Sequence, residues 1–179
     1  FKSRTSAFVK QKLRHFNTEF YFADEEDFGY YENLDFKVDG KSVQWEFDET
    51  HLDIARLELE EVLGPGDEIV ISTPFSLKIP ASFSRLGHIE TSYQMTQWYP
   101  KPAVYDANGW HPMPYLDMGE FYSEFGVFDV EITLPSNYYV AATGELKTQT
   151  ELDRIAERIE FTKRYLEDSV SQKMATFFP

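Results

Sequence analysis

The stretch NLDFKVDGKSVQWEF, residues 33–47, has few local solutions open to it. Leu34, Phe36 and Val38 alternate with polar residues, Asp39-Gly40 offers the positive φ of a tight turn, and Val43, Trp45 and Phe47 alternate on the way back. Side chains along a strand point to opposite faces in turn, so this alternation predicts a β-hairpin with one face buried and one wet. The pattern recurs. In IARLELEEVLGPGDEIVISTPFSLKIP, Leu57 and Leu59 share a face, Gly64-Pro65-Gly66-Asp67 turns the chain, and Ile69 to Ile79 returns, with Pro74 marking an edge or bulge. In FGVFDVEITLPSNYYVAATGEL, Phe128, Val130, Ile132 and Leu134 share one face while Asp129, Glu131 and Thr133 share the other. Pro135-Ser136-Asn137 then breaks that strand, and Tyr139 to Ala142 begins another. The expectation is a mainly β fold, an antiparallel β-sandwich.

The period changes near residue 148. Leu152, Ile155, Ile159, Leu166 and Val170 fall on one helical stripe, and Thr148 with Glu151 has the spacing of a capping box. The chain therefore reads as a single domain over 1–179. Residues 1–20 form a poorly defined N-terminal segment with weak helical spacing at Phe8, Leu13 and Phe16; 21–146 form the sandwich; 148–173 form an amphipathic helix.

Composition narrows the partners. With 31 acidic against 17 basic residues the net charge is −14, a field that repels phosphate backbones and anionic membranes, so no nucleic-acid partner is expected. No apolar run approaches the roughly 20 residues of a membrane span. The absence of cysteine excludes a disulfide framework, a thiolate metal site and a cysteine nucleophile. The opening FKSRTSAFVK has neither Met nor a signal-peptide core, and the ending ATFFP is apolar; both suggest a piece of a longer protein.

Motifs for chemistry are missing. His15, His51, His88 and His111 are far apart in sequence and form no H-E-x-x-H, so no metal site is expected here. No serine lies in a G-x-S-x-G elbow and no glycine run matches a phosphate loop. The acidic ADEED at 23–27 lacks the glycine and spaced ligands of a calcium loop and reads as a solvated turn. Aromatics make up 17% of the chain. Tyr93, Trp98, Tyr99, Tyr105, Trp110, Tyr115, Phe121 and Tyr122 crowd into the loop 92–126, where they either stack on a ligand or fill the core and its corners.

Within that loop and beyond it lie Gln97-Trp98-Tyr99-Pro100, Tyr105-Asp106, the run Gly119 to Pro135 (GEFYSEFGVFDVEITLP) and Ala142 to Leu146 (ATGEL). In this order they resemble the N-terminal domain of bacterial M1-family zinc aminopeptidases, the gluzincin group. The likeness extends over about 130 residues. It implies a saddle-shaped β-sandwich packed against a zinc-bearing catalytic domain of the same parent chain. The H-E-x-x-H and G-x-M-E-N motifs belong to that second domain and are absent from this sequence, so the fragment itself is expected to be inactive and to hold no cofactor. Peptides are the implied substrates of the parent. The resemblance further implies that a glutamine shortly before the Trp, Gln94 or Gln97, reaches the pocket for the substrate's amino group, where its carbonyl oxygen can accept a hydrogen bond from an ammonium. It also favours export to the periplasm or cell surface, by a signal peptide outside these residues, over a cytoplasmic location. Two alternatives stay open. One is a stand-alone β-sandwich module that binds carbohydrate or protein through the aromatic loop; the other is a homologue whose second domain has lost its zinc ligands.

Overall fold

A computed structural model describes the backbone of residues 1–177 and the side chains of residues 1–168. The fold is mainly β, built as several small antiparallel sheets with a helix at the C-terminal end, and the described residues form no closed barrel. Two compact units divide the chain, Phe1–Val127 and Phe128–Pro179.

The first unit takes its core from the segment whose sequence was hardest to read. Ser6 caps α1 (Ala7–Arg14) by accepting a hydrogen bond from the Val9 N–H at 3.3 Å. The helix ends in a Schellman motif: Asn17 N–H donates to the Lys12 carbonyl and Phe16 N–H to that of Leu13, both at 3.0 Å. Phe16 occupies the left-handed position of this motif, at φ 60°, which turns its ring out of the helical stripe and leaves it 94% exposed. Phe8 and Val9 are instead buried, together with Phe20 from α2 (Glu19–Phe22), Phe28 and Phe83. Phe20 stacks on Phe28 at 4.7 Å and meets Phe83 edge-on at 4.9 Å and Phe8 at 5.8 Å. Burying each such ring contributes about 1.5–3 kcal/mol. One cation enters this core. Lys12, 6% exposed, donates to the Phe83 carbonyl at 2.7 Å and lies 3.5 Å from Asp117.

The strands are short and pair less locally than their sequence suggests. Asp39 and Gly40 turn at φ 49° and 79°, joining β2 (Lys37–Val38) to β3 (Lys41–Ser42) as expected. The hairpin then splits. β4 (Gln44–Phe47) leaves to pair with β5 (Ala55–Glu58), and β2 takes β6 (Ile71–Ser72) on its other side. The turn at Gly64–Asp67 forms, with Asp67 N–H donating to the Gly64 carbonyl at 3.1 Å, but the strands flanking it find other partners. Pro74 separates β6 from β7 (Ser76–Lys78), which pairs with β1 (Tyr30–Glu32). Two hairpins follow: β8 (Leu86–Ile89) with β9 (Ser92–Met95), and β10 (Val104–Asp106) with β11 (Gly109–His111). Among the described residues no sheet exceeds three strands.

In the second unit, residues 128–134 and 139–142, expected as strands, carry no strand pairing among the described residues. Helix α3 (Gln149–Phe177) begins where the capping residue was expected, the Thr148 carbonyl accepting from Glu151 N–H and Leu152 N–H at 3.2 and 3.1 Å. The Glu151 carboxylate pairs with Arg154 at 3.2 Å. Arg154 also donates to the Ser136 carbonyl and covers the Tyr139 ring at 4.0 Å, so one guanidinium holds the 136–139 turn against the helix. Along the apolar stripe Ile155 is half-buried, while Leu152, Ile159 and Leu166 are 40%, 49% and 55% exposed. The side chain of Val170 lies outside the described residues.

Candidate functional site

The β8–β9 hairpin presents the first of the two candidate glutamines. Gln94, on β9, stands opposite Gly87. A Cβ at Gly87 would lie 2.7 Å from the Ser82 Cα and 2.9 Å from the Ala81 carbonyl oxygen, so this position has room only for glycine. The same glycine leaves Gln94 without a cross-strand side chain. Gln94 is exposed, and among the described residues its amide has no hydrogen-bond partner.

Gln97 is placed differently. Its backbone is left-handed at φ 52°, and its Nε2 donates to Glu120 Oε2 at 3.4 Å. Its Oε1 is enclosed and unpartnered. Glu120 is held from the other side by an ion pair with Arg85, whose guanidinium lies 5.5 Å from the Tyr115 ring centre and whose Nη2 reaches the Leu116 carbonyl at 3.4 Å. Lys101 completes the cluster. Its Nζ donates to Ser123 Oγ at 2.7 Å and sits 4.0 Å above the Phe121 ring. Burial lowers its pKa, and the Glu120 carboxylate opposes that shift. The Arg85–Glu120 pair was not singled out from sequence; its only trace there is Glu120 inside the G-E-F run. The two glutamines thus differ in availability: one is free at the surface and the other is committed inward.

The aromatic loop divides in the same way. Trp98 is half-buried, and its carbonyl accepts the Tyr31 hydroxyl at 2.6 Å. Burial pushes the Tyr31 pKa up to about 12. Tyr115 leans on the N-terminal core, 5.1 Å from Phe1 and 5.5 Å from Phe8, with Phe121 behind it at 5.8 Å. Tyr93, Tyr122 and Phe125 are exposed, and the β10–β11 hairpin turns a pair of rings outward. Tyr105 and Trp110 are cross-strand partners, 67% and 65% exposed, with ring centres 5.0 Å apart. On the hairpin's other face the Asp106 carboxylate accepts from His111 Nε2 and from the Asn108 N–H, both at 2.8 Å. These bonds, His111's first, hold Asp106 below the usual aspartate pKa. The His111 ring rests edge-on against Tyr122 at 5.2 Å.

The remaining histidines serve local contacts or face solvent. His88 packs beside Tyr93 at 5.6 Å, and His15 is exposed. Among the described residues no three His, Asp or Glu side chains converge as a metal site, and no helix is long and apolar enough to cross a membrane. The ADEED stretch forms a 3-10 turn, Glu25–Asp27, fastened through its backbone: Lys78 Nζ donates to the Glu26 carbonyl at 2.6 Å and Ala81 N–H to that of Asp27 at 3.0 Å. Compared with family models, with curated proteins and with solved structures, the chain matches none.

Proposed function

We propose that this chain is the non-catalytic, β-sandwich-type N-terminal domain of an M1-type zinc aminopeptidase, that it docks the catalytic domain of its parent, and that it helps to form the subsite for the substrate's amino terminus. The ordered motifs between Gln97 and Leu146 support the family reading, since four separate elements occur in sequence at the family's order. The observation that carries the subsite is Gln94. A neutral amide, exposed on a hairpin and unengaged by neighbours, has its carbonyl free to accept from an ammonium. Gln97 has its amide committed to Glu120 and its oxygen enclosed, so in this reading Gln94 contacts substrate and Gln97 braces the loop. Zinc and the peptide-cleaving groups belong to the parent's other domain, and the parent is exported.

In the parent enzyme, Gln94→Ala raises KM for aminoacyl reporter substrates, and Gln97→Ala acts mainly on stability. A single charge-assisted hydrogen bond is worth about 1.5–3 kcal/mol, so the expected rise is roughly tenfold or more. Unchanged KM in Gln94→Ala removes this glutamine from the subsite.

A second reading has one specific observation in its favour, the outward Tyr105–Trp110 pair. Exposed rings of this kind stack on sugars or on apolar side chains of a partner, which suits a stand-alone binding module. Glycan-array binding that disappears in Trp110→Ala with the fold intact favours this reading; absence of any glycan signal opposes its carbohydrate form.

A further inference from the structure

Residues 129–134 have the composition of a strand and, among the described residues, none of its partners. Val130, Ile132 and Leu134 are 53%, 52% and 49% exposed, and Asp129, Glu131 and Thr133 alternate with them. Among the described residues no backbone N–H or carbonyl of 129–134 takes part in a backbone hydrogen bond. Apolar side chains and open backbone groups are thus displayed together over six residues, which would span about 20 Å once drawn out as a strand. Such an edge recruits another strand, because a neighbour satisfies the backbone groups and covers the apolar row in one step. A second copy of the chain fits poorly. Antiparallel self-pairing centred on Val130 sets Asp129 against Glu131, and pairing centred on Glu131 sets that carboxylate against itself. Pairing centred on Ile132 sets Glu131 against Thr133, which leaves the carboxylates of both copies without a cation. Like charges directly opposite are destabilising, and a net charge of −14 repels the approach of another copy.

We infer that residues 129–134 are a docking edge for an extended segment in which apolar residues alternate with lysine or arginine. The apolar residues cover Val130, Ile132 and Leu134 on one face, and the cations lie across from Asp129 and Glu131 on the other. Pro135 closes the edge at its C-terminal end. This assignment rests on local chemistry alone and is independent of the peptidase reading.

The test uses the whole chain and three fluorescein-labelled octapeptides, followed by anisotropy. One alternates valine or isoleucine with lysine, one alternates them with glutamate, and one has the first peptide's composition with its lysines grouped at one end. Binding of the lysine-alternating peptide should be at least about tenfold tighter than of either control, a difference of about 1.4 kcal/mol. Ile132→Pro, which removes a backbone donor from an exposed position, should weaken it by a similar factor. The double variant Asp129→Lys, Glu131→Lys should transfer the preference to the glutamate peptide. Circular dichroism identical to that of the parent chain confirms that these exposed substitutions leave the fold in place. Equal binding of the grouped-lysine peptide, insensitivity to Ile132→Pro, or no binding at all overturns the assignment. So does a dimer by light scattering in which 129–134 gains hydrogen-exchange protection, since the edge then belongs to a second copy.

Discussion

Replacing Phe20 with alanine strikes the centre of the first unit. Phe20 is 1% exposed and touches four other rings: Phe28 at 4.7 Å, Phe83 at 4.9 Å, Phe8 at 5.8 Å and Phe1 at 6.1 Å. Truncating a fully buried phenylalanine costs about 3–5 kcal/mol, combining the lost transfer energy with the cavity left behind. Here the rings come from several separate segments, so the cavity closes only if those segments move together, and the upper part of that range is expected. With a urea dependence of about 2 kcal/mol per molar, the unfolding midpoint falls by about 2 M. The control lies two residues away in the same short helix. Phe22 is 74% exposed, and its alanine variant should change stability by no more than about 0.5 kcal/mol. Urea titration by far-ultraviolet circular dichroism separates the two variants. Similar midpoints for both would refute the claim that the N-terminal segment forms the core.

Other consequences follow from individual contacts. Gly87→Ala places a methyl group against the backbone of Ala81 and Ser82 and should cost about 1–3 kcal/mol, read as a lowered urea midpoint; a neutral result shows that the hairpin sits farther from 81–82. Tyr31 has a folded-state pKa raised by burial to about 12. The neutral form is therefore favoured by folding, and the stability this contributes is present below the unfolded value near 10 and lost as pH rises from there towards about 12. Tyr31→Phe should remove one late-titrating phenol from the ultraviolet titration and flatten stability over that window; loss of an ordinary phenol near 10 instead contradicts the burial. Asp106 is shifted the opposite way, below the usual aspartate value, chiefly by the His111 hydrogen bond. Its contribution is complete above about pH 4 and fades as pH falls through its depressed folded value. A carboxyl carbon titration by NMR should place Asp106 below other aspartates and return it towards the ordinary value in His111→Ala.

The features legible in sequence were those fixed by a few adjacent residues. Asp39-Gly40 could only turn, because both residues adopt positive φ, and the switch to a 3.6-residue period announced α3. Beyond that β2–β3 turn, pairing partners were not legible. Once β4 takes β5, β2 is left to β6, and such choices depend on packing between residues tens of positions apart. The N-terminal helix was obscured by Phe16, an apolar residue placed in a left-handed cap where its hydrophobicity has no bearing on the helical stripe. At the candidate site, sequence gave two glutamines equal standing. Their difference arises from Glu120, 23 residues beyond Gln97, and from the glycine that faces Gln94 across the hairpin. The stretch 128–134 shows the converse case, since its alternation is plain yet no strand among the described residues pairs with it.

The proposed role as a non-catalytic part of a zinc aminopeptidase stands or falls on activity measured on two samples. The purified chain and the full-length parent protein are assayed side by side on an aminoacyl reporter, with and without a chelator, and again after zinc is restored. Turnover is expected from the parent alone, abolished by the chelator and recovered with zinc. Chelator-sensitive turnover by the chain itself, or a parent that shows none under any condition, would contradict that role.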